Sequence, residues 1–145
     1  MINSDRLWRR IAELSAITEP DRPWTRRSFT PRFLEGRAWL ETVFRDAGLA
    51  VTLDAAGNLI GRREGSEQGL PPLLIGSHSD TVPSGGRYDG ILGVLAAVEV
   101  AQTLKERGVA LRHPLEVVDF LAEEPSEFGL SCIGSRALAG ALTGA

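Results

Sequence analysis

The sequence predicts an α/β fold, a mostly parallel mixed sheet flanked by helices, on three observations. Two apolar runs of strand length, Leu73–Ile75 and Leu115–Leu121, stand on either side of a segment with helical periodicity. That segment, Ile91 to Arg107, puts Ile91, Val94, Leu95, Val98 and Ala101 on one face, so the three together read as a βαβ unit with a right-handed crossover. Upstream, two further helical patterns and one hairpin pattern supply the layers that such a sheet needs.

Taken in order, Leu7, Ile11, Leu14 and Ile17 recur at helical spacing over residues 5–17, and Glu19-Pro20 stops that helix. The polar stretch Asp21 to Phe29, with Pro23 inside it, reads as a loop. Thr30-Pro31 then opens a second helix, Thr as cap and Pro at the first helical position, which runs to about Ala47 and ends at Gly48. Val51–Leu53 and Asn58–Arg62, joined by Asp54 to Gly57, make a hairpin. A surface loop over Glu64 to Gly69 and Pro71-Pro72 leads into Leu73–Ile75, which reads as a fully buried strand. Gly108 ends the helix from Ile91, Gly134 to Leu142 reads as helical, and no further strand is expected across Thr143-Gly144-Ala145. Trp8, Trp24 and Trp39 are expected to be packing residues, and His113, before Pro114, a surface residue.

A length of 145 residues fits one domain with a sizeable core. Hydrophobic content of 43% with 24% charged residues is ordinary for a globular chain. The longest apolar run, Ile91 to Val98, falls far short of the roughly 20 residues that span a bilayer, so no membrane segment is expected. The start lacks a basic region followed by an apolar one, and the single Cys132 excludes an internal disulfide, so a reducing, cytoplasmic setting is expected. The net charge of -3 is unevenly spread, with seven bases against twelve acids over residues 49–145. That balance favours a cation over a nucleic acid as partner, and Arg9-Arg10 and Arg26-Arg27 are too isolated to form a nucleic-acid face.

The chemistry gathers in two places. After the strand at Leu73–Ile75, Gly76-Ser77 lets His78 leave at the carboxyl end, where open α/β sheets place their ligands. Asp80 lies on the same side as His78 and can accept the imidazole N–H that a metal does not use. Asp89, at the start of the next helix, can reach back to the same point, and Glu123-Glu124 arrives there from the following strand if the two strands are neighbours. Each residue alone has an ordinary reading: a hydrogen-bonded loop histidine, a helix cap, two solvated acids. Together, one neutral imidazole and several carboxylates suit zinc, manganese or cobalt better than calcium, with one glutamate on metal and the other free to take a proton from water. A nucleophile mechanism fits less well, because Ser77 adjoins His78 directly and Cys132 has no obvious base beside it.

The motif Gly76-Ser77-His78-x-Asp80-Thr81-Val82-Pro83-x-Gly85-Gly86-x-x-Asp89-Gly90-x-x-Gly93-Val94, with Glu123-Glu124 and Gly134-Ser135-Arg136, resembles the amidase, hydantoinase and carbamoylase branch of the M20 metallopeptidase-like hydrolases. The resemblance extends to Thr25-Arg26 and to Asp54-x-x-Gly57-Asn58-Leu59-x-Gly61-Arg62, and so covers nearly the whole chain. It implies His78 as ligand of one metal, Asp89 as bridging ligand, Glu124 as ligand of the second metal, Glu123 as general base and Asp80 as the residue that orients His78. The implied cofactors are two divalent ions, zinc or manganese with cobalt as the alternative. The implied reaction is hydrolysis of a C–N bond in a small linear ureido or N-carbamoyl compound. The stretch from Glu124 to Arg136 looks closest to the allantoate and ureidoglycolate type, with Glu127 standing where an Arg is often found. Enzymes of this branch are longer and carry a second, smaller domain that aids homodimer formation and closes over substrate. The resemblance therefore implies that residues 1–145 are the N-terminal portion of a dinuclear-metal catalytic domain, inactive or weakly active alone. Two other readings stay open: an aminoacylase or peptidase of the same family, and a metal-free domain that keeps the motif by descent.

Overall fold

A computed structural model of the chain describes residues 1–142, so the expectation for Thr143-Gly144-Ala145 lies outside the described residues. Helix α1 spans Ser4–Ala16 and begins where the Asn3 side chain accepts a hydrogen bond from the Arg6 amide at 3.0 Å. Helix α2 spans Pro31–Asp46, and Thr30 caps it by accepting from the Phe33 amide, with Pro31 at the first helical position as expected. The hairpin follows as β1, Ala50–Leu53, and β2, Leu59–Arg63. Strand β3 is Leu73–His78, helix α3 is Ile91–Glu106, strand β4 is Leu115–Phe120, and α4 is Ile133–Leu138. The last helix is shorter than the expected Gly134 to Leu142.

The four strands stand in the order β1-β2-β4-β3. Strands β3 and β4 are parallel direct neighbours, with Ile75 opposite Val117 and His78 opposite Phe120, joined through α3 as the βαβ pattern requires. The sheet is mixed, but its balance differs from the expected mostly parallel one: β1 with β2 and β2 with β4 are antiparallel. The hairpin docks its second strand against β4, which leaves β3 at the edge. For the same reason the run Leu73–Ile75 is not a buried strand, and these residues are 48%, 42% and 41% exposed. An apolar run carries no mark of whether its strand will be central or peripheral.

The core lies between the sheet and the helices, where Ile11, Leu14, Leu40, Phe44, Val94, Leu95, Val98 and Val117 are all buried. Burial of α3 includes Glu99, which would be costly unpaired. Arg6 from α1 donates to it through Nε at 2.7 Å and Nη2 at 2.8 Å, so the buried carboxylate and the helix pairing are one arrangement. Trp39 packs against the core, but Trp8 and Trp24 are largely exposed and serve surface contacts instead. Trp8 meets Tyr88 edge-on, and the Arg87 guanidinium lies 5.3 Å from the Trp24 ring centre. His113 is half-buried, its Nδ1 2.8 Å from the Pro71 carbonyl.

The hairpin loop is fixed to the end of β4 by one fully buried side chain. Asn58 donates to Asp54 at 2.7 Å and to the Gly134 carbonyl at 3.1 Å, and accepts from the Leu121 amide at 2.9 Å. Gly134 has to be glycine, because a Cβ there would lie 1.9 Å from Asn58 Oδ1. This three-way tie delivers the segment after β4 to a defined place.

Candidate metal centre

His78 closes β3 and is buried, 8% exposed. Its Nδ1 lies 3.0 Å from the Asp80 backbone carbonyl, an oxygen that only accepts, so this nitrogen carries a hydrogen, and in the neutral ring Nε2 is the nitrogen with the lone pair. Nε2 faces two carboxylates, Asp89 Oδ1 at 3.8 Å and Glu123 Oε2 at 3.4 Å. One ligand atom from each of His78, Asp89 and Glu124 lies within 4.8 Å of the others.

Each donor reaches this point for a local reason. Gly90 adopts a φ of 66°, which no L side chain favours, and so α3 starts directly against His78. Asp89 is not the helix cap, since Gly90 holds that position without a side-chain bond, and the Asp89 carboxylate is half-exposed. After β4, Ala122 takes a φ of 47° and turns the chain so that Glu123 and Glu124 follow at the sheet's carboxyl edge. The carbonyl side of this turn is held by the Cys132, Ile133 and Gly134 amides, which donate to Glu123, Ala122 and Leu121 at 2.9, 3.0 and 2.8 Å.

Asp80 does hold the His78 ring, but differently from the expectation. The nearer contact is its backbone carbonyl, and its carboxylate Oδ1 stands 3.4 Å from Nδ1. Cys132 also differs: its Sγ lies 3.6 Å from Glu123 Oε1, so a carboxylate does stand beside the thiol. Residues to which the sequence assigns no role complete the frame. Ser28 donates to Asp80 Oδ2 at 2.8 Å, Arg26 donates through Nε to the Ser79 carbonyl at 2.8 Å, and Ser79 donates to the buried Asp119 at 2.8 Å. The one signal for them was Thr25-Arg26, because that loop contains buried Thr25, Arg26 and Ser28.

The electrostatics fit a cation. Burial opposes a charged His78 ring, yet the Asp80 and Glu123 carboxylates outweigh it and the pKa is raised to about 9. Burial and the neighbouring Asp89 and Glu123 carboxylates hold the Glu124 carboxyl above its usual range, with the His78 ring pulling the other way. Carboxylates pressed together around one imidazole form a site whose mutual repulsion a divalent ion would relieve, and this mixed nitrogen and oxygen donor set suits a transition metal.

The sequence pattern of peptidase family M28 matches residues 58–143, more than half of the chain. The chain belongs to peptidase family M28. Its relatives lie in the hydantoinase and carbamoylase branch of these M28/M20-like hydrolases, as the motifs had indicated. The chain is 49% identical over 143 residues to an N-carbamoyl-L-amino acid amidohydrolase of Geobacillus stearothermophilus, covering 98% of this chain and 35% of that protein. It is 41% identical over 140 residues to a ureidoglycolate hydrolase of Oryza sativa subsp. japonica, covering 96% of this chain and 29% of that protein. Among solved structures, a hydantoinase/carbamoylase family amidase from Burkholderia ambifaria superposes with a TM-score of 0.92 at 42% identity, covering 97% of this chain and 35% of that one. The chain thus spans about a third of the length of the family members it matches. Among the described residues no helix is long and apolar enough to cross a membrane.

Proposed function

We propose that this M28 family chain is the N-terminal portion of the catalytic domain of a metal-dependent amidohydrolase, which cleaves a C–N bond of a linear ureido or N-carbamoyl compound. What carries the reading is the convergence of His78, Asp89 and Glu124 within 4.8 Å, in a chain 49% identical to a protein named as an N-carbamoyl-L-amino acid amidohydrolase. When bound, zinc, manganese or cobalt ions would supply Lewis acidity and lower the pKa of a water.

The chain's own residues divide the work. His78 offers Nε2, because Nδ1 is turned to the Asp80 carbonyl. Asp89 and Glu124 would offer carboxylate oxygens, with Asp89 in the bridging role that the resemblance implies. Glu123 is left as general base, its Oε1 near the Cys132 thiol and its Oε2 towards the site, ready to take a proton from water and return it to the departing amine. Three ligands do not fill two metal shells, so the remaining donors belong to a further part of the polypeptide. The apolar, exposed edge of β3 supports this, since Leu73, Leu74 and Ile75 present a strand edge that natural proteins cover. A homodimer in the cytoplasm is part of the same proposal.

The test is hydrolysis by the full-length protein, before and after chelation, of N-carbamoyl-L-amino acids, allantoate, ureidoglycolate and dipeptides. Metal-dependent turnover of a ureido substrate with none of dipeptides is the expected result. Cleavage of dipeptides alone would move the reading to a peptidase, and full activity of the zinc-loaded 145-residue chain by itself would overturn the partial ligand set.

A further inference from the structure

Asp80 is 1% exposed, and its carboxylate is met by four groups, two on each oxygen. Oδ1 accepts from the Glu123 amide at 3.3 Å and stands 3.4 Å from His78 Nδ1. Oδ2 accepts from the Ser28 hydroxyl at 2.8 Å and from the Glu124 amide at 3.2 Å. A buried carboxylate has about four lone-pair sites, and here three accept hydrogen bonds while the His78 ring stands against the fourth. The ring contact is the longest of the four, and the ring already has the Asp80 carbonyl at 3.0 Å. Orienting His78 therefore does not account for where this carboxylate sits.

We infer that Asp80 is a positioning residue for the Glu123–Glu124 turn as well as for the His78 ring, with Ser28 fixing the orientation of its carboxylate. The turn needs such a hold. Ala122 is in the left-handed region, which costs a residue with a side chain free energy unless its surroundings impose it. The amides of Glu123 and Glu124 follow β4 and have no strand partner, so without the Asp80 carboxylate they would be left unpaired in a half-buried place. One side chain thereby ties the end of β3 to the turn after β4, so the imidazole and both glutamates move as a unit. Ser28, held in the loop that Arg26 and Thr81 pin, adds a third segment to the same point: the Arg26 amide donates to Thr81 Oγ1 at 2.8 Å and the Thr81 amide to the Arg26 carbonyl at 3.1 Å.

This inference rests on the reading of His78, Asp89 and Glu124 as metal ligands only for its functional consequence, and its test reads the backbone first. Amide hydrogen exchange of Glu123 and Glu124 is followed in the metal-free chain for wild type, Asp80→Asn, Ser28→Ala and His78→Ala. Asp80→Asn, which keeps the shape but turns one acceptor into a donor, should speed exchange at these two amides by about tenfold or more. Ser28→Ala should speed Glu124 by a smaller factor, and His78→Ala should leave both protected. Cobalt titration of the full-length protein then reads the site, where Asp80→Asn should weaken binding by about 10- to 100-fold and change the visible spectrum of bound Co(II). Unchanged protection of both amides in Asp80→Asn would overturn the inference. Should that variant fail to fold, unchanged Glu124 protection in Ser28→Ala does so instead. Full-length wild type that binds no cobalt while the amide pattern holds would refute the metal reading alone.

Discussion

A Cβ placed on Gly90 would lie 2.6 Å from the His78 ring and 2.3 Å from the His78 carbonyl oxygen. The start of α3 and the end of β3 are therefore in van der Waals contact through a position that tolerates no side chain. This contact brings Asp89 within 3.8 Å of His78 Nε2.

Gly90→Ala should accordingly displace α3 from β3 and spoil the site. Steric clash with backbone and a φ of 66° act together, and a loss of about 2–4 kcal/mol is expected. Urea denaturation checks the stability and zinc titration checks the affinity, which should fall at least tenfold. An Ala variant with unchanged affinity would show that the close approach does not define the site.

The metal-free chain should lose stability as pH rises from neutral to alkaline. The His78 pKa is raised from 6.5 to about 9, so the folded state holds a proton that the unfolded chain releases between these values. That contribution is complete below pH 6.5, declines across this window and is gone above about 9, on the order of 2–3 kcal/mol in all. Urea midpoints at pH 6, 7.5 and 9 in a chelator measure it, and saturating zinc should remove the step because a ligating imidazole is neutral.

Glu123→Gln tests the proposed division between base and ligands. In the full-length protein it should lower kcat by roughly 10²- to 10⁴-fold while leaving metal content and thermal stability near wild type. Glu124→Gln should behave differently and lose metal first, which inductively coupled plasma analysis after dialysis would detect. Equal metal loss in both variants would count against the division of roles.

Asn58→Ala removes a fully buried side chain that makes three hydrogen bonds and leaves the Leu121 amide and Gly134 carbonyl without that partner. A cost of about 2–4 kcal/mol is expected, read as a shift in the denaturation midpoint. Because Asn58 also fixes the segment that leads to Glu123, cobalt affinity should fall with it.

Much of this was written locally in the chain. Thr30-Pro31 starts α2 because a hydroxyl and a ring act on the next few residues, and the apolar stripe of α3 follows from spacing alone. The candidates His78, Asp89, Glu123 and Glu124 could be placed near one another because each lies at the end of an element whose type and direction a short window reveals, and two parallel neighbours release their motifs at the same edge. What only the tertiary structure decided involves partners far apart in sequence. Ser28 and Asp80 are 52 residues apart, Asp80 and Glu124 are 44, and Arg6 and Glu99 are 93, so no window contains both members. The exposure of Leu73–Ile75 belongs to the same class, since it depends on the hairpin taking the opposite side of β4. Periodicity reports which face of an element is apolar, whereas which neighbour covers that face, and where a buried carboxylate finds its donors, is settled when all the elements pack at once.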